Sequence, residues 1–238
     1  MTRRRWIADE VSGNRAVLVG AHADHLAGVL RARVGQEFDL VTPTGVRLGK
    51  VIGMDRDKIE FELGEEVPAA TAANVVVLLS IFKFDCMEWA IEKCTELGVS
   101  RIVPVISRRT ESHLATAAAK RVERWERIVR QAAEQSRRNS LPSISSPTKL
   151  KEALAVVAGT RIVLAETEHG RLLKEVIACH PRGSDIALAF GPEGGWTDAE
   201  LEMFGSAGWV AASLGNTILR AETAAIAAVA VVVSEMQR

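Results

Sequence analysis

GPEGG at residues 191–195 and LGNTILRAETAA at 214–225 are the two stretches on which the fold of this chain turns. Each follows a short apolar run, 186–190 before the first and 209–214 before the second, and such runs read as buried parallel strands. Both stretches are then loops at the carboxyl ends of strands, where open α/β sheets bind ligands. Three glycines and a proline in five residues can neither continue a strand nor start a helix, so 191–195 is a shaped turn with accessible backbone amides. The second loop sets Arg220 and Glu222 just ahead of a helix of small residues, 224–233, which lets another backbone come close. Alone, a glycine turn is more often a tight connection. An Arg–Glu pair alone is more often a solvated helix start, with the acid at the positive end of the dipole. Two such loops in one sheet favour a ligand site.

Outward from these loops, 75–81, 101–106 and 161–165 read as further strands, alternating with helices near 85–97, 120–138, 148–157 and 170–178. That alternation predicts an α/β domain over 74–238, a mostly parallel sheet with helices on both faces. Met87, Ala90, Ile91, Cys94 and Leu97 share one helical face, and Gly98 ends that helix. Asp85 with Glu88, and Thr197 with Glu200, have the spacing of capping boxes, and Gly205 is expected to close the helix begun at Thr197. In the helix over 120–138, Val122, Trp125, Ile128, Val129, Ala132 and Ala133 point inward, leaving Arg121, Arg124, Arg127, Arg137 and Arg138 outside.

The first 70 residues are different. Strands at 16–19, 37–41, 46–52 and 58–63, with turns at Gly13, Gly35, Pro43, Gly45, Gly53 and Gly64, predict a small β-rich barrel or sandwich, interrupted by a helical turn or two near 24–31. Pro68 and the following 69–73 are the expected linker.

Net charge is zero, but residues 101–151 hold 12 Lys and Arg against 4 Asp and Glu, and the chain opens with Arg3, Arg4 and Arg5. Segregated basic regions in a neutral protein point to a polyanion, with nucleic acid the natural partner. Three cysteines without CxxC spacing and five histidines without HExxH predict reduced thiols and no metal. No basic-then-apolar leader is present, and the longest apolar run is 10 residues against the ~20 a bilayer needs, so a soluble cytoplasmic protein with no membrane contact is expected. The absence of GxGxxG, GxxxxGK[ST] and GxSxG argues against a dinucleotide fold, a P-loop and a nucleophile elbow.

Four segments also carry a family resemblance: FKFDCMEWAIEKCTELGV at 82–99, RWERIVRQAAEQSRRNSLPSI at 124–144, GPEGGWTDAEL at 191–201 and LGNTILRAETAA at 214–225. In that order they resemble the motifs of the ribosomal small-subunit methyltransferase E family. HADHLAGVLRARVGQ at 22–36 is similar to that family's N-terminal PUA-like RNA-binding domain, matching at His25, Leu30, Arg31 and Gly35. The resemblance implies a SPOUT-class domain with a trefoil knot, S-adenosyl-L-methionine as methyl donor, and methylation of N3 of a uridine in 16S rRNA of the small ribosomal subunit. It further implies a homodimer with the pocket near the subunit interface.

Three loops would hold the donor: Leu164, Ala165 and Glu166; then Phe190, Gly191, Pro192, Glu193 and Gly195; then Leu214, Gly215, Ile218, Leu219 and Thr223. Arg220 would orient the base and stabilise developing negative charge, with Glu222 holding Arg220 or assisting proton removal. Arg3, Arg4, Arg5, His25, Arg31 and Arg138 are the candidate RNA contacts, Arg138 standing equally for a helix C-terminal cap. Thr217 and Arg137 depart from the family, many members having Arg and Gly there, and Arg137 is expected to make the helix end more basic and longer. A ribosome assembly factor without turnover, or a SPOUT enzyme acting on another RNA, are the alternatives.

Overall fold

The computed structural model describes residues 4–55, 57–68, 74–179, 181 and 184–236, so Arg3 and the expected linker at 69–73 lie outside the described residues. The chain divides into two compact units, Met1–Thr71 with Ala133–Leu141, and Ala72–Ala132 with Pro142–Arg238.

The first unit is built on β1 (Arg5–Ile7), β2 (Glu10–Ser12), β3 (Arg15–Val19), β4 (Glu37–Thr42), β5 (Gly45–Met54) and β6 (Lys58–Glu66). They form one curled sheet in the order β1-β4-β5-β6-β3-β2, parallel only between β1 and β4. A short helix, α1 (Ala21–Asp24), runs on into a single wide π turn, His25–Val29. Alternation along the strands puts Ala16, Leu18, Leu40, Ile59, Phe61 and Leu63 into one core with Leu26. The segment 133–141 completes this unit. Ala133 packs with Ile7, Val41 and Val46, the Arg5 guanidinium donates to the Arg137 carbonyl at 3.0 Å, and His22 lies between Asp9 at 3.4 Å and Glu134 at 3.3 Å.

The second unit comprises β7 (Val75–Ser80), α2 (Phe84–Leu97), β8 (Arg101–Ile106), α3 (Ser112–Ala118), α4 (Val122–Gln135), β9 (Ser143–Ile144), β10 (Thr148–Lys149) and α5 (Leu150–Ala153), with the last turn of α4 counted in the first unit. It continues with β11 (Thr160–Leu164), α6 (Leu173–Ala178), β12 (Ile186–Phe190), α7 (Asp198–Ser206), β13 (Val210–Ala212) and α8 (Ala221–Met236). The strands pair in the order β10-β8-β7-β12-β11-β13, with β9 also on β8, and every pair is parallel. The central strands β7 and β12 are buried along their whole length, on both faces. Val75, Val77 and Leu79 enter the core shared with α2, α4, α6 and α8, whereas Val76 and Leu78 enter the core of α5 and α7.

Several sequence expectations need correction. Asp85 caps nothing: α2 starts at Phe84 behind Lys83, with no side-chain cap, and the Glu88 carboxylate instead takes two bonds of 2.7 Å from the Arg124 fork. The helix expected over 148–157 is a two-residue strand and one turn, because a pairing of Thr148 with Val105 claims its start. Gly205 lies inside α7, which ends at Ser206. Glu222 is not ahead of the last helix but in its first turn. Arg137 does not lengthen α4, which stops at Gln135; its φ of 54° puts it in the left-handed region instead. The box of Thr197 and Glu200 is formed, and Gly98 ends α2 at φ 113°.

Candidate active site at the carboxyl edge of the parallel sheet

Strand register fixes where the loops begin. Leu79 pairs with Phe190, Ala189 with Val163 and Leu164 with Ala212, so β7, β12, β11 and β13 end level along one edge. The turn at 191–195 is closed by Gly195 N–H to the Pro192 carbonyl at 2.8 Å, with Pro192 buried beneath. Its glycines answer to crowding. A Cβ on Gly191 would stand 3.2 Å from the Gly195 backbone, and one on Gly195, at φ 67°, would meet Glu166 Oε1 at 3.0 Å. The 165–167 loop is thus against the glycine turn, and the Trp196 indole N–H holds it there through the Leu164 carbonyl at 3.1 Å.

The third loop leaves the same edge beside the first. Ala165 N–H donates to Ala212 O at 3.0 Å, and Leu173 N–H to Ser213 O at 2.9 Å, after which Leu214 and Gly215, at φ 126°, turn the chain outward. Residues 216–220 are exposed, Ile218 at 82%, so this loop holds apolar side chains in solvent at the site's rim. Arg220 is exposed and Thr223 likewise, whereas Glu222 is 5% exposed. The junction of the two diagnostic loops is the first turn of α2. There Lys83 N–H points to Glu193 Oε1 at 3.4 Å, and the Cys86 thiol is pushed up mainly by burial and next by the negative charge of Glu222.

The structure therefore gathers Leu164, Ala165, Glu166, Phe190, Gly191, Pro192, Glu193, Gly195, Leu214, Gly215, Arg220 and Glu222 along one sheet edge, with Ile218 and Leu219 on the exposed loop leading to Arg220. A cavity of 180 Å³ opens beside this edge on the α7 side, lined by Val163, Ala165, Thr167, Glu168, Leu201, Gly205, Trp209 and Ala211. Three neighbours of the turn escaped the sequence reading: Lys83, whose N–H points to Glu193 Oε1 at 3.4 Å, Cys86, and Arg109, which donates to the Gly194 carbonyl. No local pattern marks them, because they reach the turn from the start of α2 and the loop after β8, more than 80 residues away in sequence.

The candidate RNA contacts Arg4, Arg5, His25, Arg31 and Arg138 all belong to the first unit. Arg4, His25 and Arg31 are exposed, His25 with its ring 5.7 Å from Trp6 and Arg31 at φ 51°. Arg5 is half-buried and bound to Arg137, Asn139 and Asp39, an internal role. Burial lowers the Arg138 guanidinium to about 10. Among the described residues no helix is long and apolar enough to cross a membrane, and no group of three His, Cys, Asp or Glu is placed to hold a metal.

A parallel α/β sheet that brings a glycine turn and an Arg–Glu loop together at its carboxyl edge is the frame of a small-ligand enzyme, and the RNA methyltransferase domain family matches it over residues 70–233. Among the chain's curated relatives are proteins named ribosomal RNA small subunit methyltransferase E. That of Synechocystis is 37% identical, covering 90% of this chain and 71% of the relative, and that of Rickettsia conorii is 31% identical, covering 88% and 85%. Among solved structures, the Neisseria gonorrhoeae enzyme of that name, bound to S-adenosyl methionine, superposes with a TM-score of 0.80 at 31% identity, over 96% of this chain and 95% of its own. A Legionella pneumophila putative methyltransferase in complex with the same cofactor gives 0.78 at 26%, over 98% and 97%. The chain belongs to the ribosomal RNA small subunit methyltransferase E family.

Proposed function

We propose that this protein transfers a methyl group from S-adenosyl-L-methionine to N3 of a uridine in 16S rRNA of the small ribosomal subunit. One observation carries the reading: the glycine turn 191–195 and the Arg220–Glu222 loop leave the same carboxyl edge of the parallel sheet in a chain of this family. The local chemistry suits the donor. A turn stripped of side chains at 191 and 195 lets backbone amides approach it, and Ile218 and Leu219 supply apolar surface for its adenine. When bound, the donor supplies a methyl group on a positively charged sulfur.

The protein's own groups do the rest. Attack by uridine N3 requires loss of its proton while negative charge spreads onto the flanking carbonyl oxygens. The exposed Arg220 guanidinium is suited to receive that charge. Glu222, buried two residues on in the first turn of α8, either orients Arg220 or takes the proton. Positioning supplies much of the remaining acceleration. Leu164–Glu166, Phe190–Glu193 with Gly195, and Leu214–Thr223 are read as the three loops of a trefoil-knotted pocket around the donor, in a homodimer. The first unit is read as a PUA-like RNA-binding domain presenting Arg4, His25 and Arg31, in a protein working in the cytoplasm.

Calorimetry with S-adenosylmethionine and mass mapping of rRNA from a deletion strain test this. Donor binding together with loss of one N3-methyluridine from 16S rRNA is expected. No donor binding would leave an assembly factor, and an unchanged small-subunit map would assign the activity to another RNA.

A further inference from the structure

We infer that Arg109 is a positioning residue for the methyl-donor turn, fixing Gly194 from outside the three loops; this rests on the reading of 191–195 as the donor's seat. Glycine loses more conformational freedom on ordering than any other residue, so a turn with three glycines in five positions is costly to fix. Its inner side is held by Gly195 N–H to Pro192 O and by the buried Pro192, but its tip, Glu193 and Gly194, is exposed. Arg109 meets that tip. Its guanidinium donates to the Gly194 carbonyl, and its stem lies so close that a Cβ on Gly194 would stand 3.2 Å from Arg109 Cδ.

The base from which Arg109 reaches is rigid. Beyond β8, Thr110 N–H closes a turn onto Ser107 O at 3.2 Å, and Ser107 N–H donates to Thr110 Oγ1 at 3.2 Å. Thr110 Oγ1 donates to Ile81 O at 3.2 Å, and Arg108 N–H binds Glu200 Oε1 at 2.8 Å. A fixed loop therefore grips a soft one through a charge-assisted hydrogen bond. Because the acceptor is a single carbonyl, an ammonium can replace the guanidinium, whereas a bidentate phosphate contact would reject that exchange.

The test uses the full chain as wild type, Arg109→Ala and Arg109→Lys. Without donor, hydrogen exchange at the Gly195 amide should speed up in Arg109→Ala while exchange in β7 and β12 and the melting temperature stay as in wild type. With donor, calorimetry should show affinity weakened about 10-fold in Arg109→Ala and restored to within about threefold in Arg109→Lys. Unchanged exchange and affinity in Arg109→Ala, or a lysine variant as weak as alanine, would overturn the inference. Faster exchange at Gly195 in a protein whose wild type binds no donor would uphold the clamp and sink the functional reading instead.

Discussion

Arg220 and Glu222 stand two positions apart in opposite surroundings, Arg220 exposed and Glu222 buried. That division gives each a separate test. Arg220→Ala should lower kcat about 100-fold or more while donor affinity from calorimetry changes only severalfold. Equal losses in both would make Arg220 a donor-binding group. Arg137 offers a stability prediction. Its φ of 54° strains any side-chain-bearing residue, and its role toward Arg5 uses only its backbone carbonyl. Arg137→Gly should therefore raise unfolding stability by about 0.5–1 kcal/mol in urea titration, a gain reduced by the glycine's own freedom when unfolded. Residue by residue, the sequence pattern placed Gly191, Gly195, Arg220 and Glu222 on one sheet edge because each follows a recognisable strand. It could not place Arg109 or Cys86, whose meaning comes only from what lies across the fold.

At the scale of elements, long periodic stretches were the legible ones. α2, α4, β8 and β12 lie where apolar spacing puts them, and Gly98 closes α2 through a left-handed residue. A Cβ on Gly98 would meet nothing within 4 Å, so Gly98→Ala isolates backbone strain from packing. It should cost about 1–2 kcal/mol in denaturant unfolding, and a neutral result would mean that α2 ends differently in solution. The elements missed were short or won by tertiary pairing. β1 and β2 have three residues each, too few to show alternation, and β10 exists because Thr148 and Lys149 find Val105 and Ile106. Asp85 failed as a cap because α2 begins one residue before it, which leaves Glu88 to bind Arg124 on α4.

On the scale of the molecule, one histidine makes the first unit's stability depend on pH. Hydrogen bonding to Glu134 raises the His22 pKa against the opposing effect of burial, with the charges of Glu134 and Asp9 adding to the rise. The folded state thus favours the protonated ring. Its contribution is full below the ordinary value of 6.5 and is lost as pH rises through the higher folded value. Thermal melts of wild type should fall between about pH 6 and 8 more steeply than those of His22→Asn. Parallel slopes would show that the Asp9–His22–Glu134 link is not held in solution.

That link also binds distant parts of the chain, since Leu141 follows Thr71 by 70 positions, yet both belong to one compact unit. A ribosome delivers the polypeptide from its amino end at ~5–20 residues per second, so the nascent β-sheet would wait on the order of 4–14 s for the segment that finishes it. Until then Ile7, Val41 and Val46 lack the cover of Ala133, and His22 lacks one of its two carboxylates. Birth order and assembly order differ in this protein, and the interval between them is when its amino-terminal sheet is most in need of a chaperone.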